Sequence, residues 1–528
     1  MASSTESVRR VDLRQRATGI ALPSWPAAAW ASIATAALFV VASCWWLAHD
    51  ESIPVFDAGM HLGYAIGVYE RLSSGHVLRA LTESAPYPPL TYLVGAVGIA
   101  VGGVGVAPAV LALNVVFVSL LALGCYKVGR MAFGPTAGLL AVLFALGSPL
   151  VIEEFHEFMV DAPEAAMVAI AVWGLLSSER FSRVGVSALA GAAVGLGMLT
   201  KETLVFFVAG VALVTAVRGG VRAWRGMAAF AAVALAIAGP WYVYEYSAIH
   251  ALAHEALGAP SFQSLGIAPP RMSSANLEWY VWSLLNWQLF APLFAVAAIG
   301  FIWTLAGFAR RRPVSAFAAE LALGAFVSWA CLTETYVHDT RYGIPMTMYA
   351  AVLGVGWISR LPRRALTAVA CALAVLAAAN TLGVGFGVGP NVLVGPSSEA
   401  YEQQPGRMTL LANYGYWIGA PSRDGDLLGL LRALRHSGVR DVGWNSAQEL
   451  EADFSYQGIT VLAQIAGLRV PTQKPVEEAR LGHSYAVLRH DITEANLGNP
   501  CIVLQDGTGV WVALGGSRGL EAWSYCPR

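Results

Sequence analysis

Charged residues are scarce in this sequence. Only 13% of its 528 residues are charged, whereas 56% are apolar, and a typical soluble domain carries about 25% charged residues. The shortage is concentrated in long windows without any charge, and about 20 helical residues are enough to cross the hydrocarbon core of a bilayer. The sequence therefore predicts a polytopic α-helical membrane protein. The uncharged windows are 24–46, 104–126, 133–152, 284–309 and 342–359.

Other absences exclude further classes. The formal net charge is −1, so no basic excess points to nucleic acid. The chain has neither the His-Glu-x-x-His zinc motif nor the Gly-x-Ser-x-Gly elbow of many hydrolases. The first apolar run, 26–47, is too long for the core of a cleavable signal, so we expect a retained first helix.

Cysteine is also sparse, with six residues in the chain. Four of them lie in apolar runs and are predicted to be packing residues: Cys44, Cys125, Cys331 and Cys371. Cys501 and Cys526 lie in the polar C-terminal part, where a disulfide forms only if that part is exported. The sequence leaves their pairing open.

Arginine clusters and acidic loops alternate along the chain. Four arginines precede the first apolar window and place the N-terminus in the cytoplasm by the positive-inside rule. With that end fixed, about eleven crossings put the later arginine clusters inside and the acidic loops outside. The apolar stretch 88–106 is excluded because counting it would invert every later loop, and we expect it in the outer interface. The crossings with defined limits are 27–48, 105–126, 134–152, 162–177, 184–199, 286–308, 315–333, 342–358 and 365–386; one more ends near Arg218 and another near Glu245.

The predicted fold is therefore an α-helical membrane domain with about 11 transmembrane helices, followed by an extracytoplasmic α/β domain. We expect a helix from Asp57, as its cap, to a stop at Gly75. In the outer domain a leucine repeat predicts a helix over 426–436, and β-branched runs predict strands at 439–444, 459–465, 484–489 and 510–514. The domain limits are 1–24 for a cytoplasmic tail, 25–388 for the membrane domain with its first outer loop at 49–104, and 389–528 for the outer domain.

Ionisable side chains recur on the predicted outer loops. Acids and cations on one face of a membrane protein suit an anionic substrate whose reacting centre also needs a base. Lys201 and Arg341 lie outside, against the positive-inside trend, which suits a phosphate; for Lys201 a snorkelling side chain is the alternative. Charges at helix ends also serve as topological anchors, and that alternative stays open for each residue. The four loops supply Asp57 with His61, then Glu154, His156 and Asp161, then Lys201, then His338, Asp339 and Arg341.

Four segments carry a resemblance to a known group. The stretch VFDAGMHLGYAIGVYERLSSG, followed by YPPLTYL, resembles the first outer loop of the GT-C glycosyltransferases, in the branch of the protein O-mannosyltransferases and the lipid A aminoarabinose transferases. MVDAPEAAMVAIAVW resembles their second acidic loop, GLGMLTKETLVFF their lysine-bearing helix end, and HDTRYGIPM their Arg-Tyr-x-x-Pro segment. The resemblance runs from the first crossing through the tenth. One departure is that the first loop reads Asp-Ala-Gly where the family often has Asp-Glu.

The resemblance implies an inverting transfer of a sugar from a polyprenyl-phosphate-linked donor to a hydroxyl of a lipid, glycan or protein acceptor. It implies that Asp57 is the general base, that Asp161 orients the acceptor or a metal, and that Lys201 and Arg341 clamp the phosphate. No cofactor is certain, although a divalent cation is compatible. The location implied is the plasma membrane, taken as a bacterial inner membrane from the absence of Asn-x-Ser/Thr sequons. The further residues expected to bind substrate are His61, Tyr87, Glu154, His156 and His338.

The competing interpretation is a membrane transporter or lipid flippase. Such proteins place ionisable or helix-breaking residues near the bilayer midplane, often in related halves. Here nearly all charges lie at the ends of predicted helices, with Glu320 as the chief exception, and no internal repeat is evident. The sequence does not name the sugar, the acceptor or the carrier.

Overall fold

The computed structural model describes most of the membrane domain and parts of the C-terminal region. The predicted tail 1–24, the predicted helix 426–436, Cys501 and Cys526 lie outside the described residues. The described residues are 25–52, 54, 56–83, 85–258, 269, 273–312, 314–335, 338–395, 408–416, 418–421, 441–443, 456–468, 485–489, 502–503 and 509–513.

Helices build the described part up to residue 386. In chain order they are α1 (Trp25–His49), α2 (Phe56–Ser73), α3 (Val77–Thr82), α4 (Leu90–Gly102), α5 (Val106–Leu113), α6 (Ser119–Phe133), α7 (Pro135–Leu146), α8 (Pro149–Glu154), α9 (Asp161–Ser177), α10 (Val184–Met198), α11 (Leu204–Gly219), α12 (Trp224–Tyr244), α13 (Tyr246–Gly258), α14 (Ser274–Ser283), α15 (Phe290–Ala309), α16 (Ala318–Thr333), α17 (Met346–Gly356) and α18 (Arg363–Phe386). One π-helical turn, Asn114–Val118, joins α5 to α6, and another, Leu284–Gln288, follows α14.

These helices confirm a polytopic helical membrane fold. Each predicted crossing is helical over most of its length, and the segment 88–106 forms the separate 13-residue helix α4. Among the described residues, five helical segments are individually long and apolar enough to span a bilayer: Ala27–His49, Val106–Phe133, Val221–Tyr244, Phe290–Ala309 and Arg363–Phe386.

The third predicted crossing, 134–152, is not one continuous helix. α7 ends at Leu146, and α8 begins with Pro149 as its first residue. The residue before a proline is pushed toward extended backbone, and Ser148 is extended with φ −75° and ψ 127°. The break turns the chain just before the loop that carries the second group of acidic residues.

The helix of the first outer loop begins one residue earlier than expected. α2 starts at Phe56, so Asp57 lies inside its first turn and is not its N-cap. The expected stop is confirmed, because Gly75 follows the helix with φ +80°, a conformation that favours glycine. The buried face of α2 includes His61, Leu62 and Ala65.

Short strands follow α18. β1 (Val392–Val394) pairs antiparallel with β2 (Met408–Leu411). A second sheet has the strand order β3-β4-β6-β5, in which β3 runs parallel to β4 and the other pairs are antiparallel. Three of the predicted strands are therefore present, and the extracytoplasmic location of this region stays a prediction. The strands of the second sheet are β3 (Asp441–Gly443), β4 (Tyr485–Arg489), β5 (Ile502–Val503) and β6 (Gly509–Ala513).

The strand predicted at 459–465 is wrong, since this segment belongs to helix α19 (Tyr456–Ala466). Its β-branched residues favoured a strand, but Val461, Leu462 and Ile465 are buried at helical spacing. Its first turn packs closely on α2, where a Cβ on Gly59 would meet the backbone of Gln457. Packing against the helix that carries Asp57 therefore overrides the local preference.

Candidate functional site

Two ion pairs bring together the four groups of ionisable residues predicted to converge. Asp57 Oδ2 lies 2.5 Å from Arg341 Nη2. Lys201 Nζ lies 2.6 Å from Asp161 Oδ1. The first pair joins the first outer loop to the last one, and the second joins the start of α9 to the turn between α10 and α11.

Asp339 holds Arg341 from a second side. Its carboxylate accepts hydrogen bonds from Arg341 Nε at 2.8 Å and from the Arg341 backbone N–H at 3.1 Å. Burial raises the pKa of Asp339 despite the neighbouring guanidinium. Burial opposes the charge on Arg341, but the carboxylates of Asp339 and Asp161 outweigh it and raise its pKa, so the arginine stays charged.

Tyr342 connects the two ion pairs. Lys201 Nζ lies 4.4 Å from the centroid of the Tyr342 ring, and Arg341 Cζ lies 5.7 Å from it. Cations within about 6 Å of a ring centroid are attracted by the ring electrons. Both cations are thus held against one aromatic side chain, in a single site.

The two pairs differ in their access to solvent. The Asp57 side chain is 40% exposed, whereas the Asp161 side chain is 2% and the Lys201 side chain 7% exposed. Asp57 is therefore within reach of an acceptor. Asp161 is enclosed with Lys201 and accepts its hydrogen bond, and its role toward an acceptor or a metal stays a prediction. The buried Lys201 is not a snorkelling side chain.

His61 and Tyr87 lie beside the ion pairs and are held by aromatic contacts. His61 Nδ1 is 2.8 Å from the hydroxyl of Tyr92, and its ring centroid lies 5.2 Å from that of Tyr87. Burial lowers the pKa of His61 to about 4 and raises that of Tyr87 to about 12, so both are neutral at pH 7. A neutral, hydrogen-bonded His61 anchors α2 to α4 through Tyr92, next to Asp57.

The second acidic loop has its own arrangement. Glu153 accepts the backbone N–H groups of Tyr416 at 2.6 Å and Ile418 at 2.7 Å, which ties the C-terminal segment to this loop. The neighbouring Glu154 is buried, and burial followed by the charge of Asp161 raises its pKa well above the usual value. Burial at the edge of the site therefore favours the protonated form of Glu154.

Two predicted histidines pack among aromatic rings. The His156 ring stacks on Trp46 with centroids 4.4 Å apart, and burial, the sole cause, lowers its pKa to about 3. His338 lies with its ring centroid 5.1 Å from Trp279 and 5.3 Å from Tyr280. The packing of His156 is aromatic, and the role of both histidines in binding substrate stays a prediction.

Sequence reasoning missed the roles of three residues. It named Asp339 as an ionisable residue of the last loop but not as the partner of Arg341. Tyr342 and Tyr92 were not singled out, although Tyr342 follows Arg341 directly. Within the described ranges, no three His, Cys, Asp or Glu side chains are grouped as ligands for a metal ion, and we derive no step through one.

Glu157 gives a pH-dependent prediction. Burial, followed by Glu153, raises its pKa from 4.5 to about 8, so the folded protein keeps a proton that the unfolded chain releases. Stability is then lost as the pH rises from about 4.5 to about 8. We expect Glu157→Gln to raise the thermal midpoint by a few degrees at pH 8 and by much less at pH 5. Tryptophan fluorescence during heating measures this, with the exposed Glu70→Gln as control; parallel pH curves for wild type and Glu157→Gln would contradict it.

Comparisons with known proteins show what the chain is similar to. Residues 86–244 match the family model described as dolichyl-phosphate-mannose-protein mannosyltransferase. The structure of ArnT from Cupriavidus metallidurans in its apo state is similar at 16% identity and a TM-score of 0.58, covering 92% of this chain and 98% of that one. No curated protein matches the chain in sequence.

Two further solved structures match the chain with lower TM-scores. ArnT from Cupriavidus metallidurans bound to undecaprenyl phosphate matches at 21% identity and a TM-score of 0.47, covering 65% of this chain and 63% of that one. The chain thus spans less than two thirds of that protein. The Archaeoglobus fulgidus oligosaccharyltransferase, in complex with an inhibitory peptide and a dolichol-phosphate, matches at 12% identity and a TM-score of 0.48, covering 90% of this chain and 66% of that one.

The family match and the ArnT fold confirm the resemblance predicted from the sequence. The matched residues include Tyr87, Asp161 and Lys201, while Asp57 and Arg341 lie outside the match. The roles of the latter two residues therefore depend on their geometry.

Proposed function

We propose that the chain is an inverting glycosyltransferase that moves a sugar from a polyprenyl-phosphate donor to an acceptor hydroxyl. The observation that carries the proposal is the grouping of Lys201 and Arg341 on the ring of Tyr342, beside the solvent-accessible carboxylate of Asp57. Two cations suit a phosphate, and an exposed carboxylate suits a base. The match to a family named for a lipid-phosphate sugar donor supports the same class of reaction.

The site can perform this reaction in one displacement. The acceptor oxygen attacks the anomeric carbon from the face opposite the phosphate, and Asp57 takes the hydroxyl proton. The bond between the anomeric carbon and the phosphate oxygen breaks, and its electron pair stays on the departing polyprenyl phosphate. Arg341 and Lys201 stabilise the charge that develops there. Because a phosphate already leaves readily, no protonated carboxyl is required, and the configuration inverts.

The proposal includes the orientation in the membrane. Asp161 and Lys201 lie at one end of α9 and α11, whereas Arg180 and Arg218 lie at or just beyond the other end. By the positive-inside rule the arginine end is cytoplasmic and the site faces outward. The enzyme is then a multi-pass protein of the plasma membrane, a bacterial inner membrane, with its N-terminus inside and residues 389–528 outside. The acceptor is a lipid, glycan or protein hydroxyl.

The transporter alternative loses its chief support. Glu320 was the chief exception to the rule that charges lie at helix ends. It lies in the first turn of α16, where both of its oxygens accept hydrogen bonds from Arg218 at 2.8 Å. This pair lies at the end of the helices that carries the other arginines, so Glu320 is a helix-end ion pair. The family match favours sugar transfer over transport.

A panel of donors tests the reaction. We expect the purified protein in lipid nanodiscs to hydrolyse one radiolabelled polyprenyl-phosphate sugar slowly in the absence of acceptor, because water can replace the acceptor hydroxyl at Asp57. Release of labelled sugar is measured for each donor, with the same sugars as nucleoside diphosphates for comparison. Binding of no lipid-linked donor, or use of the nucleotide donors alone, would overturn the proposal.

The same assay tests the orientation. A water-soluble donor analogue with a short prenyl chain is added to sealed right-side-out membrane vesicles. We expect turnover without permeabilisation, because the site faces outward. Turnover that requires a detergent would place the site on the cytoplasmic side.

A further inference from the structure

Arg341 is held by two carboxylates of different character. Asp339 belongs to the same turn, holds Nε and the backbone N–H, and is 16% exposed in its side chain. Asp57 belongs to a distant loop, holds Nη2, and is 40% exposed. Nη1 takes part in none of these contacts. Asp339 therefore anchors the guanidinium from the more buried side, and Asp57 pairs with it from the more exposed side.

This pairing conflicts with the proposed roles of both partners. An aspartate that accepts a charge-assisted hydrogen bond at 2.5 Å has an oxygen occupied by Arg341. This leaves Oδ1 as the Asp57 oxygen that the Arg341 contact does not occupy, and a phosphate that binds the guanidinium at two points competes with the carboxylate for Nη2. The conflict is resolved if the phosphate takes the place of the carboxylate.

The second ion pair is not built for such an exchange. Asp161 and Lys201 are 2% and 7% exposed, and removing either from its partner would leave a buried charge. The accessible pair is the one between Asp57 and Arg341. A phosphate arriving from solvent therefore meets Arg341 first, and Lys201 adds its charge while still bound to Asp161.

We infer that donor binding is what releases Asp57: the donor phosphate replaces the Asp57 carboxylate at Nη2 of Arg341 while Asp339 keeps Nε. This inference rests on the proposed function. The exchange makes and breaks hydrogen bonds only, and Asp339 is a positioning residue that keeps Arg341 in place during it. Donor binding thus frees Asp57 Oδ2 as well as Oδ1 for the acceptor hydroxyl, so the donor binds before the acceptor reacts.

Binding of a sugar-free ligand tests the exchange apart from catalysis. Dissociation constants for a polyprenyl phosphate in nanodiscs are compared for wild type, Asp57→Asn, Asp57→Ala and Asp339→Asn, with the exposed Glu70→Gln as control. Both Asp57 variants remove the competitor, and we expect binding about tenfold tighter, the scale of one hydrogen bond to a charged group. Asp339→Asn removes the carboxylate that holds Arg341 in place. We therefore expect weaker polyprenyl phosphate binding and a raised donor KM, with a smaller effect on kcat.

The exchange predicts tighter phosphate binding in the Asp57 variants but weaker binding in Asp339→Asn, and this difference separates it from simple electrostatics. If the phosphate sensed only the summed charge, removing either carboxylate would tighten binding. Tighter binding in both Asp339→Asn and the Asp57 variants, or unchanged binding in the Asp57 variants, would overturn the exchange while leaving the proposed function intact. Failure of the wild type to bind any polyprenyl phosphate would instead count against the proposed function itself.

Discussion

Replacement of Asp57 by asparagine is expected to lower the rate of sugar transfer about 10²- to 10⁴-fold, the usual contribution of a general base. Asparagine has nearly the same shape, but it loses the ion pair with Arg341 and cannot accept the proton of the acceptor hydroxyl. The change lies at a side chain that is 40% exposed, so it leaves the fold intact. Single-turnover transfer from the identified donor measures the chemical step directly.

The control for this experiment is Glu70→Gln, an exposed acid on the same helix α2. It removes a carboxylate of similar accessibility, and we expect wild-type rates. The asparagine variant should keep its thermal midpoint and still bind donor. A transfer rate within a few-fold of wild type would show that Asp57 is not the base, and the role would then pass to another acid of the outer loops.

The helices were predictable because their signal is compositional. A long window without charge has few ways to satisfy its backbone other than as a helix in a bilayer, so crossings such as 27–48 and 365–386 correspond closely to Trp25–His49 and Arg363–Phe386. The break before Pro149 also has a local signal, which is the proline itself. The helix α19 had none, because its packing on α2 comes from a segment about 400 residues away.

The loops that carry the site residues could be predicted from the sequence, but most contacts between those residues could not. The sidedness of the charges placed Asp57, Asp161, Lys201 and Arg341 on one face, and the structure brings them together. Which acid meets which cation is decided by tertiary packing, and no pattern in the sequence pairs Asp161 with Lys201. For the same reason the stacking of His156 on Trp46 could not be predicted from the sequence.

Lys201 yields the largest expected effect on stability. Lys201→Met leaves Asp161 as a buried carboxylate without its partner, which typically costs about 3–5 kcal/mol. Burial alone would lower the pKa of Lys201, but Asp161 raises it, so the lysine is charged in the folded protein. Its removal therefore leaves the negative charge of Asp161 without a positive partner. We expect poor folding or a strongly lowered thermal midpoint, measured in nanodiscs.

The double variant Lys201→Met with Asp161→Asn separates the two roles of the lysine. It removes both buried charges at once, so most of the lost stability should return, since a neutral buried pair avoids the unpaired carboxylate. Transfer should stay lost, because the phosphate has only Arg341 left to stabilise its charge. A stable double variant with near wild-type transfer would show that Lys201 serves the fold alone. A stable but inactive one would assign Lys201 as the second phosphate cation, and would explain why a membrane protein keeps a buried lysine at the end of an apolar helix.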